Sequence, residues 1–310
     1  VGALGRMEMQ RVPAAGYRIV GLPVRGLLRP LWRLGNIRIL FDFLRSKRMV
    51  KKILQEFRPH VAIGVGGYAS SATLNAAYEL GVPCLIQEQN SFAGLTNRTL
   101  AKKARCICVA YEGMERFFPK ERILLTGNPV RQNLLNASLT REQASAAFGL
   151  DAHTPTILLI GGSLGARTLN ESVLASLDRI AQAPVQFIWQ TGGYYKEHIA
   201  QELEAKGKPA NLYVTDFISH MDQAYKAADL VISRAGASSI SELCLLGMPS
   251  ILVPSPNVAE DHQTHNAMAL VHRGAALLVR DADAERDLIP LALNTVMQRE
   301  KLEALGKNAY

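Results

Sequence analysis

Ser238, Ser239, Ser241 and Glu242 stand close together, directly after the apolar run Val231-Ile-Ser233 breaks at Arg234 and Gly236. The pattern predicts a strand that ends in a helix with hydroxyls and a carboxylate in its first turns. Free amides at a helix start favour an anion, and a carboxylate beside them can accept hydrogen bonds from both hydroxyls of a ribose. The segment therefore reads as a seat for a nucleotide. Ser239 and Glu242 also have the spacing of a capping box, which would serve only the helix. On these residues alone both readings stand.

Two glycine-rich turns bear on the choice. Ile63-Gly-Val-Gly-Gly-Tyr68 and Ile160-Gly-Gly-Ser-Leu-Gly-Ala166 each follow an apolar run and precede a helical pattern, and Ser163 can offer a hydroxyl and an amide to phosphate. Either could be a tight strand-to-helix turn and nothing more. One such loop in each half of the chain favours ligand binding. Neither has the dinucleotide G-x-G-x-x-G spacing with its acid, so no nicotinamide or other cofactor is expected.

Metal chemistry finds weaker support. Asp281-Ala-Asp283 mimics a D-x-D metal motif, but acids at this place favour a helix start. His262 and His265 can face one side of a helix that more simply opens there, and Cys106 and Cys108 are too few ligands for zinc. No metal site is expected. Glu88, at a strand end, is the carboxylate best located for a general base, with a structural hydrogen bond as its competing role.

These residues need elements to hold them. Strand-like runs fall at His60 to Val65, Pro83 to Gln87, Ala104 to Ala110 and Arg122 to Thr126, with helical patterns at Ser71 to Leu80 and Leu95 to Lys103 and a short one near Met114. After a polar stretch the alternation restarts, with strands at Thr156 to Ile160, Val185 to Gln190, Leu212 to Thr215, Asp229 to Ser233, Ser250 to Val253 and Ala275 to Val279. The fold class is α/β, with two doubly wound parallel sheets and a ligand cleft between them. The boundary is expected near Gly127 to Leu150, giving domains 1–130 and 131–310.

At 310 residues and 48% hydrophobic, the chain can bury two cores. Four cysteines in apolar runs read as buried thiols of a reducing compartment. No run is long enough to span a bilayer. The charge is lopsided: residues 1–60 hold 13 Lys and Arg against Glu8, Asp42 and Glu56, so of the chain's net +8 the other 250 residues contribute −2. Within that end Arg25, Leu28, Arg29, Leu31, Trp32, Arg33 and Arg38 mix cations with large apolar side chains, and on a helix Arg25, Arg29 and Arg33 would share one face. An anionic membrane surface suits this mixture, against a packed amphipathic core helix as the plainer reading. A nucleic-acid partner is not expected, since no aromatic stacking platform accompanies the charge.

Five segments, Gly64-Val-Gly-Gly-Tyr68, Gln87-Glu-Gln-Asn-Ser-Phe-Ala-Gly-Leu-Thr-Asn97, Gly127-Asn-Pro-Val-Arg131, Gly161-Gly-Ser-Leu-Gly-Ala166 and Arg234-Ala-Gly-Ala-Ser-Ser-Ile-Ser-Glu242, occur in an order that resembles the MurG family of glycosyltransferase family 28. The resemblance spans essentially the whole chain. It implies a GT-B fold and inverting transfer of N-acetylglucosamine from UDP-N-acetylglucosamine to lipid I, forming the β-1,4 linkage of lipid II at the cytoplasmic face of the bacterial inner membrane, where the enzyme is peripheral. Carried onto this sequence, Arg131 and Ser163 would meet phosphate and the backbone at Ile218 the uracil. Ala237, Ser238, Ser239, Ile240, Ser241 and Glu242 would hold the nucleoside, with Glu242 on the ribose diol. Asn90 and Gln263 would touch the sugar from either side of the cleft, and Gly66, Gly67 and Tyr68 the acceptor diphosphate.

The chain departs from that pattern in three places. The family's opening strand and Gly-Gly-Thr-Gly-Gly-His loop have no counterpart, and Lys307 to Tyr310 stops within a helical pattern, so truncation at both ends is expected. Gln87 stands where many relatives have histidine. The catalytic base, for which the loop histidine is the family's candidate, is left unassigned. Two other readings share the architecture: another UDP-sugar enzyme, such as a lipid galactosyltransferase or a 2-epimerase, and a non-catalytic membrane-bound module that pairs with a partner carrying the unmatched loop.

Overall fold

A computed structural model describes residues 1–26, 30, 32, 35–135, 138–162 and 164–310. The chain divides into two compact units, Val1–Asn128 and Pro129–Tyr310.

The first unit opens with a short parallel pair, β1 (Gly2–Ala3) and β2 (Gly21–Leu22). A four-stranded parallel sheet follows, ordered β3 (Ala62–Gly64), β4 (Cys84–Glu88), β5 (Cys106–Val109) and β6 (Ile123–Leu125). The register aligns Gly64, Ile86 and Ile107 on one face, where they join Leu22, Val50, Leu54 and Leu74 in the core. The opposite face carries Ile63, Leu85, Cys106, Cys108 and Leu124 and is more open, with Ile63 58% and Leu124 54% exposed. Cys84 alone of the four thiols is buried, and Cys106, Cys108 and Cys244 are half-buried.

The basic, leucine-rich stretch is organised differently from a single long helix. Arg25 lies in coil, with Pro23 before it and Pro30 after it, and a described helix runs over Gly35–Phe57. Proline offers no N–H and fixes its own φ, so a helix crossing this stretch would lose ladder bonds. Arg25 is therefore not on a helical face. Leu28, Arg29, Leu31 and Arg33 lie outside the described residues. Along Gly35–Phe57, Ser46, Val50 and Leu54 are buried, while Ile37, Leu40, Phe41 and Leu44 on the other side are 41–67% exposed beside Arg38. Lys47 and Lys51 both bind Glu79, the last residue of the helix Gly67–Glu79, the second at 2.8 Å, and so clamp the two helices together.

The second unit holds β7 (Thr156–Ile160), β8 (Gln186–Gln190), β9 (Leu212–Thr215), β10 (Leu230–Ser233), β11 (Ser250–Leu252) and β12 (Leu277–Leu278). All pairings are parallel, in the order β12-β11-β10-β7-β8-β9. All five residues of β7 are buried, as an inner strand covered on both faces requires. The core includes Phe187 and Trp189, whose indole N–H donates to Asn170 Oδ1 at 3.0 Å. Because the chain leaves β7 toward β8 on one side and returns through β10 on the other, the strand order reverses between β7 and β10. In open α/β sheets ligands bind beyond the carboxyl ends of the strands at such a reversal.

Candidate functional site

The loops that leave β7 and β10 flank this reversal, and Ile160 pairs with Ser233 as their last residues. The loop after β7 is tightly built: Gly165 and Gly192 both have positive φ, and a Cβ on Gly192 would lie 2.1 Å from the Gly165 amide. The two backbones meet only because both residues are glycine. Gln190 Nε2 adds a bond to Gly162 O at 3.1 Å. Ser163 itself lies outside the described residues.

Beyond β10 the helix Ala237–Leu245 starts from Gly236, whose φ and ψ of −69° and 147° mark it as the N-cap, without a side-chain cap bond. Ser239 is thus already inside the helix, and Glu242 does not reach back to an amide. This overturns the capping-box alternative, because a cap must precede the first turn. Ser241 Oγ donates to Ala237 O at 2.8 Å, Ser238 is exposed, and Ile240 is buried.

Glu242 is buried at 6% exposure, and its carboxylate accepts three hydrogen bonds. Arg131 Nε donates to Oε1 and Arg131 Nη2 to Oε2, both at 2.8 Å, and Tyr225 Oη donates to Oε2 at 2.9 Å. Such a fork satisfies a buried charge that would otherwise be costly. The carboxylate raises the pKa of Arg131, while burial, followed by the Glu242 charge, pushes the Tyr225 phenol well above its usual range. Sequence reasoning selected Arg131 and Glu242 and missed Tyr225, which as an aromatic in the helix Met221–Ala227 looks like ordinary core.

The remaining candidates of this unit follow other strand ends. Ile218 is buried in the segment after β9, and Gln263, in the first turn of the helix His262–Val271 after β11, accepts from the Ser255 amide at 2.9 Å. Arg234 donates to Asp281, to Val253 O at 3.1 Å and to Pro254 O at 3.3 Å, and Thr168 Oγ1 donates to the other Asp281 oxygen at 3.0 Å. Asp283 faces Arg280 and Arg286. The D-x-D aspartates thus open the helix Ala284–Val296 and pair with arginines.

In the first unit Gly66 and Gly67 follow β3 with φ of 90° and 77°, and the helix begins at Gly67, earlier than the expected Ser71. Tyr68 is half exposed and crosses Gly26, where an added Cβ would sit 2.3 Å from Tyr68 Oη. Glu88 is 2% exposed and accepts from the Asn90 amide at 3.1 Å, Asn90 Nδ2 at 3.3 Å, the Gly94 amide at 3.1 Å and Asn97 Nδ2 at 2.8 Å. Four donors on one buried carboxylate shape the 88–97 turn, the structural role weighed against general-base work. Asn128 braces the same turn, accepting from Gln87 Nε2 at 2.7 Å and donating to Gln89 O at 3.0 Å.

Two family descriptions match the chain: the glycosyltransferase family 28 N-terminal domain over residues 1–109 and the family 28 C-terminal domain over residues 156–309. The UDP-N-acetylglucosamine--N-acetylmuramyl-(pentapeptide) pyrophosphoryl-undecaprenol N-acetylglucosamine transferase of Bacteroides fragilis is 59% identical over 99% of this chain and 81% of that protein. The transferase of the same name from Porphyromonas gingivalis is 51% identical over 99% and 81%. Among solved structures, Acinetobacter baumannii MurG superposes with a TM-score of 0.77 and 29% identity, covering 99% of this chain and 84% of that one. A UDP-GlcNAc 2-epimerase from Neisseria meningitidis, bound to UDP-GlcNAc, is similar at a TM-score of 0.63 but only 16% identical, over 100% and 86%, and shares the fold alone.

Proposed function

The chain belongs to glycosyltransferase family 28, and we propose that it transfers N-acetylglucosamine from UDP-N-acetylglucosamine to the 4-hydroxyl of the N-acetylmuramyl residue of lipid I, forming lipid II for peptidoglycan with inversion to a β-1,4 linkage. The observation that carries this reading at the site is the Arg131–Glu242 fork beside a helix N-terminus at the β7/β10 reversal. A carboxylate there suits a ribose diol, and a guanidinium with a half-exposed side chain suits the diphosphate that leaves as the sugar is transferred. The amides of Ala237 and of the loop after β7 would add donors to the same charge. Ile218 would read the uracil and Gln263 the sugar. Residues 131–310 then form the donor domain.

Residues 1–130 would serve the acceptor and the membrane. Gly66, Gly67 and Tyr68 would receive the acceptor diphosphate at the start of the helix Gly67–Glu79. The acceptor's isoprenoid tail stays in the bilayer, so the first unit must reach the cytoplasmic leaflet as a peripheral protein. Trp32 at 84% exposure and the open row Ile37, Phe41 and Leu44 beside Arg38 favour this over a packed helix. No helix among the described residues is long and apolar enough to cross a membrane.

Sugar-labelled UDP-N-acetylglucosamine incubated with lipid I in anionic vesicles tests the transfer. Passage of label into the butanol-extractable lipid, with one UDP released per sugar, is the expected result. Label that remains in water while the nucleotide sugar is consumed would sink it.

A further inference from the structure

We infer that Tyr225 is a positioning residue that fixes the Glu242 carboxylate for the donor's ribose and so contributes to selection of ribonucleotide over deoxyribonucleotide. The inference rests on the reading of Glu242 as the ribose ligand. A carboxylate offers about four acceptor sites. In this structure three are taken, two by Arg131 and one by Tyr225. A ribose diol brings two more donors, so one present partner must give way. The two partners differ in freedom to do so. The Arg131 side chain is 50% exposed and can turn to a diphosphate, whereas Tyr225 is 3% exposed and fixed by its packing. Nucleoside binding therefore exchanges Arg131 for the diol and frees a cation for the phosphates, while the Tyr225 hydroxyl keeps Oε2 in place. Burial keeps the phenol protonated, so it donates throughout the working pH range.

Calorimetry of the 310-residue chain and its Tyr225→Phe variant with UDP and with 2′-deoxy-UDP tests this, since phenylalanine retains the ring's packing and removes only the donor. The wild type should prefer UDP. In the variant UDP affinity should fall by about tenfold and 2′-deoxy-UDP affinity by less, so that the preference shrinks severalfold. In a Glu242→Gln background the same change should shift the preference no further. Equal losses for both nucleotides, or an undiminished preference, would show that Tyr225 only supports the fold. No preference in the wild type would overturn the ribose reading of Glu242 itself and, with it, the role of Tyr225.

Discussion

Glu242 accepts hydrogen bonds from one fixed donor and one movable donor, and this asymmetry sets what substitution should do. Glu242→Ala removes a charged acceptor from the ribose and should weaken UDP binding by roughly 1.5–3 kcal/mol. Titration calorimetry reads this directly, and unchanged affinity would return Glu242 to a purely structural role. Arg131→Ala should lower turnover by about two orders of magnitude, because the developing diphosphate charge loses the cation that turns to it. Steady-state rates at saturating donor check it, and a rate within a factor of about two of wild type would contradict the assignment. Glu242 was legible in the sequence because a polar cluster at a strand-to-helix junction is unusual for core, whereas Arg131 was selected only through the family resemblance of Gly127-Asn-Pro-Val-Arg131. Tyr225 was not, since a buried aromatic on a helix carries no mark of the hydroxyl's partner until the fold brings it 2.9 Å from Glu242.

The parallel strands were legible from continuous apolar runs of Val, Ile and Leu, and each expected strand overlaps an observed one from β3 to β12. Around Arg25 leucine and arginine recur at helical spacing, yet Arg25 itself lies in coil, two residues after Pro23, so the spacing alone does not make it helical. Further along, Lys47 and Lys51 draw the Glu79 carboxyl down from its ordinary 4.5 to about 2. A depressed carboxylate stabilises the fold above its unfolded pKa, and that contribution disappears as pH falls toward the folded value. The gap in melting temperature between wild type and Glu79→Gln should therefore be largest above about pH 5 and close toward pH 2. A gap that stays constant over that range would show that the clamp between helices Gly35–Phe57 and Gly67–Glu79 does not act through charge.

Across the whole molecule, the net charge of +8 arises entirely within the first 60 residues, while Arg131, Ile218, Glu242 and Gln263, the residues proposed to bind the donor, all lie in Pro129–Tyr310. Membrane attachment and nucleotide binding should therefore separate by mutation. Ile37→Ser with Phe41→Ser should reduce sedimentation with anionic vesicles at least severalfold while UDP affinity is unchanged, because two exposed apolar side chains lose their contribution at the interface. Undiminished vesicle binding would mean that another surface docks. Mild acid release of the sugar from the lipid product, followed by mass and anomeric NMR analysis, should give a disaccharide one N-acetylglucosamine heavier than the acceptor's N-acetylmuramyl unit, joined β-1,4. An α linkage, or unmodified acceptor with the nucleotide sugar converted to its 2-epimer, would rule out this inverting transfer.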